Sequence, residues 1–135
     1  MLILVIITIL EGQIMKLHES GEMYLETILV LSKKLPVVRA IDITETLELS
    51  KPSVSRALKT LESNGFIEID KRKYITLNKK GLEVASMIYE RHMVITTILT
   101  QIGVSKDVAE DDACKIEHVI SKETFDAIKR HFNIK

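Results

Sequence analysis

The 135-residue chain is 46% hydrophobic and 28% charged, with aromatics at only 4%. This fits a folded domain, or two small ones, with a core of Ile, Leu, Val and Met. A single cysteine, Cys114, excludes an intrachain disulfide and suits a reducing cytoplasm. The formal net charge of +0 excludes a uniformly basic nucleic-acid binder, yet the charge is unevenly spread: Lys51–Lys80 holds eight bases against three acids, and Gln101–Asp126 seven acids against three bases.

Met1–Leu10 is an uncharged apolar run. It is shorter than the ~20 residues a membrane helix needs and lacks the basic region and cleavage site of a signal peptide, so no membrane association is expected. The codons for Glu11-Gly12 resemble a ribosome-binding sequence ahead of Met15, and translation is expected to begin at Met15 rather than Met1. Helical spacing of Met23, Leu25, Ile28, Leu29 and Leu31 predicts a helix over Gly21–Lys34, ended by Pro36. A short helix over Arg39–Leu47 and a turn at Leu49-Ser50 follow. Ser50 is then the N-cap, and Pro52 the first-turn proline, of a helix reaching Ser63, with Asn64-Gly65 as its stop. Phe66–Ile69 and Tyr74–Leu77 read as strands of a hairpin tipped by Asp70-Lys71-Arg72-Lys73. Asn78 is expected to cap a long helix, Lys79–Ile102, broken by Gly103. Ser105 caps another through Ile120, and Ser121 a last one to Phe132.

Helix, helix-turn-helix and two-stranded wing make the winged-helix plan. The expected fold is therefore mainly α with a small β-wing: a winged helix-turn-helix over residues 15–78 and a helical domain over residues 79–135. The helix from Lys51 is the reader. On its wheel Val54, Ala57, Leu58 and Leu61 face inward, while Ser53, Ser55, Arg56 and Lys59 lie outward or on the flank. Small hydroxyls near Pro52 allow close approach to the major groove. Arg56 can donate two hydrogen bonds to a guanine edge, Lys51 and Lys59 can hold phosphates, and Arg72 can meet backbone or minor groove. Thr44 stands where a smaller alanine packs more easily in the first helix of the pair.

The segment Asp112–Ser121 places Cys114, Glu117 and His118 at i, i+3 and i+4, so thiolate, carboxylate and imidazole share one helix face. These are three donors for one ion. His92 on the preceding helix, and Met23 with Glu26 at i and i+3 on the first helix, can add to them. A buried-packing role for Cys114 and solvated roles for Glu26 and Glu110 are the alternatives. Use of Cys114 as an enzyme nucleophile is not expected, because no Gly-rich oxyanion turn and no third orienting residue stand out.

Four stretches carry a resemblance: Gly21–Ile28, Ser50–Ile67, the Arg91-His92 pair and Asp112–Ser121. With these the chain resembles the diphtheria-toxin-repressor and manganese-transport-regulator family of metal-dependent repressors, over roughly Ser20–Lys129. The resemblance implies a cytoplasmic homodimer that binds Fe(II) or Mn(II) and then palindromic operator DNA upstream of metal-uptake genes. Co, Ni or Zn would substitute in vitro. Met23, Cys114, Glu117 and His118 match the primary site of the iron branch, and His92 a ligand of both branches. Glu26 matches a carboxylate of the manganese branch, so the donor set is mixed. Thr96 and Glu110 stand where the iron branch has a carboxylate and a histidine, which makes Glu110 the weaker candidate. The chain is expected to be a short form without an SH3-like domain. Val108, Ile116, Val119 and Phe125 are candidates for dimer or core contacts. A metal-independent winged-helix regulator is the alternative function.

Overall fold

The computed structural model describes residues 20–135; the expectations for Met1–Leu10 and Met15 lie outside the described residues. Its elements are α1 (20–34), α2 (Ala40–Leu47), α3 (Lys51–Ser63), β1 (Ile67–Ile69), β2 (Ile75–Leu77), α4 (Lys79–Gln101), α5 (Lys106–Ile116) and α6 (Lys122–His131). The chain divides into two compact units, one ending at Ala85 and one beginning at Ser86. No described helix is long and apolar enough to cross a membrane.

In the first unit the predicted inward faces are the buried ones. Leu25 and Ile28 of α1, Ile43 of α2, and Val54, Leu58 and Leu61 of α3 form one core with Val38, Ile67 and Ile75. Burying each such side chain stabilises the fold by about 1.5–3 kcal/mol. Local chemistry sets the ends of α3. The Ser50 hydroxyl accepts from the Ser53 N–H at 3.3 Å, Pro52 lies in the first turn, and Gly65, at φ +78°, leads the chain out. Thr44 is accommodated half-buried, its hydroxyl donating to the Ala40 carbonyl at 2.9 Å. The Asp42 carboxylate accepts from the Arg39 N–H at 2.8 Å and starts α2, so Arg39 is the cap rather than the first helical residue.

β1 and β2 pair antiparallel with Glu68 opposite Thr76. At the tip one carboxylate oxygen of Asp70 accepts from the N–H groups of Arg72 and Tyr74, at 2.8 and 2.9 Å. That Asx-type turn fixes the backbone that carries Arg72. Asn78 opens α4 through its carbonyl, which accepts from the Leu82 N–H, while its side-chain amide donates to Gly65. Gly81 is buried, and a Cβ there would stand 2.1 Å from the Phe66 carbonyl oxygen. Backbone cannot swing aside as a side chain can. Gly81→Ala is therefore expected to destabilise the protein by about 3 kcal/mol, lowering its melting temperature by roughly 10 °C or more. Melting followed by circular dichroism checks this, and a midpoint matching the parent would contradict it.

The second unit packs Val94, Ile95 and Ile98 of α4 with Ala113 of α5 and Phe125 of α6. Phe125 is thus a core residue and Ile116 packs against the same cluster, whereas Val108 and Val119 are exposed. Two expectations change here. Ser105 occupies the N-cap position of α5, but its hydroxyl makes no cap hydrogen bond; its carbonyl accepts from the Ala109 N–H instead. And α5 stops at Ile116, not Ile120. The chain closes there with N–H groups of Val119 and Ile120 both reaching the Ile116 carbonyl, because Ser121 takes an extended conformation (ψ 155°) to cap α6 through the Thr124 N–H.

Candidate metal centre and DNA-reading face

Four predicted donors lie in the second unit. His92 sits on α4, Cys114 on the last turn of α5, Glu117 at its C-cap and His118 one residue beyond. Glu117 keeps right-handed helical dihedrals (φ −56°, ψ −29°), so the expected juxtaposition survives although the helix has ended. Its carboxylate is 1% exposed and lies between two imidazoles: Oε2 is 2.9 Å from His92 Nδ1 and Oε1 is 3.3 Å from His118 Nε2. Cys114 Sγ is 3.7 Å from the same His92 nitrogen and opens to solvent.

A carboxylate this deeply buried needs partners that offset its lost hydration. Imidazole supplies them, and the same atoms are metal donors. His92 Nδ1, Cys114 Sγ and a Glu117 oxygen all lie within 4.8 Å of one another. Donors about 2.0–2.3 Å from a common ion stand about 3–4 Å apart, so the set fits a divalent cation after small adjustments. One helical turn beyond His92, the buried Thr96 hydroxyl has no hydrogen-bond partner among the described residues. A buried polar atom left without a partner one turn along the helix from a donor is a place for a water or an ion. Sulfur, nitrogen and oxygen together suit a transition-metal ion better than the all-oxygen preference of calcium or magnesium.

Met23 and Glu26 lie half-buried on α1, in the first unit. Glu110, also half-buried, is 4.0 Å from the ammonium of Lys106, one turn earlier on α5.

The predicted DNA-contacting residues share the first unit. Lys51, Pro52, Ser55, Arg56 and Lys59 are exposed on α3, Ser53 is half-buried, and Arg72 is exposed at the wing tip. Ser50, Ser53 and Arg56 form a chain, with 2.8 Å between the hydroxyls and 3.5 Å from Ser53 Oγ to Arg56 Nη2. Ser50 therefore does more than cap the helix. Arg39 also escaped sequence reasoning. Its guanidinium lies 5.2 Å from the centre of the Tyr74 ring beside the tip of the wing, so an exposed arginine and a half-buried tyrosine distant in sequence brace one edge. Lys80, counted among the basic residues, is partly occupied, donating to the Asn64 carbonyl and lying over Phe66. Arg91 was noted only as half of a sequence pair; its contacts, across 26 and 29 residues, left no local signal.

Comparison with known proteins assigns both parts of the chain. Residues 16–75 match the N-terminal DNA binding domain of the iron dependent repressors, and residues 78–133 their metal binding and dimerisation domain. The transcriptional regulator MntR of Escherichia coli O6:H1 is 34% identical over 106 residues, covering 78% of this chain and 68% of that protein. The diphtheria toxin repressor of Corynebacterium glutamicum is 32% identical over 108 residues, 79% of this chain and 47% of that one. Among solved structures, the manganese regulator SloR is similar with a TM-score of 0.75 at 27% identity, covering 85% of this chain and 54% of that one. IdeR of T. acidophilum gives 0.71 at 25%, covering 83% and 53%. The chain thus spans about half the length of these solved relatives. With both domains matched in order along it, the chain belongs to the iron-dependent repressor family.

Proposed function

We propose that this protein is a metal-dependent transcriptional repressor that binds palindromic operator DNA as a homodimer, in the cytoplasm, with Fe(II) or Mn(II) as corepressor. The convergence of His92, Cys114 and Glu117 is the observation that carries this reading. His118 joins them through its contact with Glu117. Met23 and Glu26 are the further donors, and Glu110 a weaker one. The thiolate favours iron and the Glu26 carboxylate keeps manganese competitive. The functional modules divide at residues 78 and 79, and the protein has no enzymatic role.

Metal binding shifts the population toward a DNA-competent form. In a twofold dimer the two reading helices must face the duplex about 34 Å apart. A tenfold gain in operator affinity requires only about 1.4 kcal/mol of preference for that form. The exposed apolar side chains Ile102, Val108 and Val119, with Met93 on α4, give the second unit a surface suited to a second copy.

The test is a gel shift on operator DNA with purified protein, across a titration of Mn(II) and of Fe(II) kept reduced, followed by chelation. Binding is expected to rise with metal by tenfold or more and to fall again on chelation. Operator binding indifferent to both would make the protein a metal-independent winged-helix regulator.

A further inference from the structure

The turn that presents Glu117 and His118 is held on its N–H side by α5, with Glu117 bonded to the Ala113 carbonyl and Val119 and Ile120 to that of Ile116, but its own carbonyls point past the end of the helix. α5 has ended at Ile116, so the carbonyls that follow lie at the negative end of its dipole, beyond the reach of its own N–H ladder. Had the helix continued, the Glu117 carbonyl would accept from the Ser121 N–H. It is taken instead by Arg91, the residue before His92 on α4. Arg91 Nη1 donates to the Glu117 carbonyl at 3.1 Å and to the Ile120 carbonyl at 2.8 Å. Its guanidinium carbon lies 5.6 Å from the centre of the Phe125 ring, in the core of the second unit. The Nε–H is buried with no partner among the described residues, a cost that packing alone would avoid with an apolar side chain.

One cation thus ties the start and end of the 117–120 turn to the residue adjoining His92. We propose that Arg91 is the positioning residue of the metal centre: by clamping the Glu117 and Ile120 carbonyls it holds the Glu117 carboxylate and the His118 imidazole in register with His92 and Cys114. Arg91 contacts backbone, not the ion, so it acts through the groups it holds. Loss of such a support costs about 10–100-fold in metal affinity. Lysine is a poorer replacement: its ammonium is a more strongly hydrated point charge that cannot lie flat against the Phe125 ring while reaching both carbonyls.

This inference rests on the metal-binding reading, and the experiment separates the two. The full chain and its Arg91→Lys variant are titrated with Co(II), recording affinity, the visible ligand-field spectrum of the loaded protein, and the melting temperature without metal. The expected result is a folded variant that binds Co(II) 10–100-fold more weakly and with displaced absorption bands. A folded variant with parental affinity, or with weaker binding but an unchanged spectrum, overturns the positioning role while the metal site stands. Failure of the parent to bind Co(II) removes both. If the lysine variant does not fold, Arg91→Gln is judged by the same readouts. Loss of the fold in both makes Arg91 a structural residue and overturns the proposal.

Discussion

Glu117→Gln is expected to lower Mn(II) or Fe(II) affinity by at least about 100-fold and to abolish the metal response of operator binding, while leaving the helical circular dichroism intact. The magnitude follows from the position of the group. Loss of a supporting residue around a metal ligand costs about 10–100-fold, and loss of a ligand's charge should cost more. Glu117 is the buried carboxylate between His92 and His118, so its oxygens are shared by the two nitrogen donors. Glutamine keeps the volume and one carbonyl oxygen but removes the negative charge that would offset the ion's own. Cys114→Ser, at the solvent-facing edge, should instead shift preference among metals away from the softer ones. Isothermal titration with each ion, paired with gel shifts, gives the answer. Parental metal dependence in Glu117→Gln would remove the carboxylate from the site.

Arg56→Ala should reduce discrimination between operator and random DNA by about 1–3 kcal/mol, roughly five- to 150-fold. Arg56 is exposed on α3 and its guanidinium already approaches Ser53, which the Ser50 hydroxyl fixes in turn. Part of the side-chain freedom is therefore restricted before DNA arrives, and a pre-organised fork loses less on forming two hydrogen bonds to guanine. Lys59→Ala is the contrasting variant. As a phosphate contact it should weaken all DNA about equally and reduce the salt dependence by about one counterion. Equal losses on specific and random DNA for Arg56→Ala would reassign Arg56 to the phosphate backbone.

Residues of the same chemical type differed in how readable they were. Cys114, Glu117 and His118 could be grouped from their spacing, because three and four residues bring side chains to one face even where the helix is ending. Arg91 could not. Its two acceptors are 26 and 29 residues away, and nothing local separates it from a solvated arginine on a helix flank. Ser105 shows the opposite error: the residue type and position are those of a cap, yet the hydroxyl makes no cap hydrogen bond to its helix. Capping statistics describe a preference of about 1 kcal/mol, which the surrounding packing can override.

The amino-acid order alone determined the reading helix with its cap, stop and buried face, the hairpin that follows, and the grouping of three donors on one short segment. All depend on hydrogen bonds or periodicities spanning a few residues, which a linear pattern records. Tertiary structure decided where α5 ends, that Phe125 belongs to a core, that His92 meets Glu117 and Cys114, and that Arg91 closes the turn between them. Those outcomes arise when segments far apart in the chain compete for the same carbonyls and the same apolar volume. That competition is settled only when the helices pack.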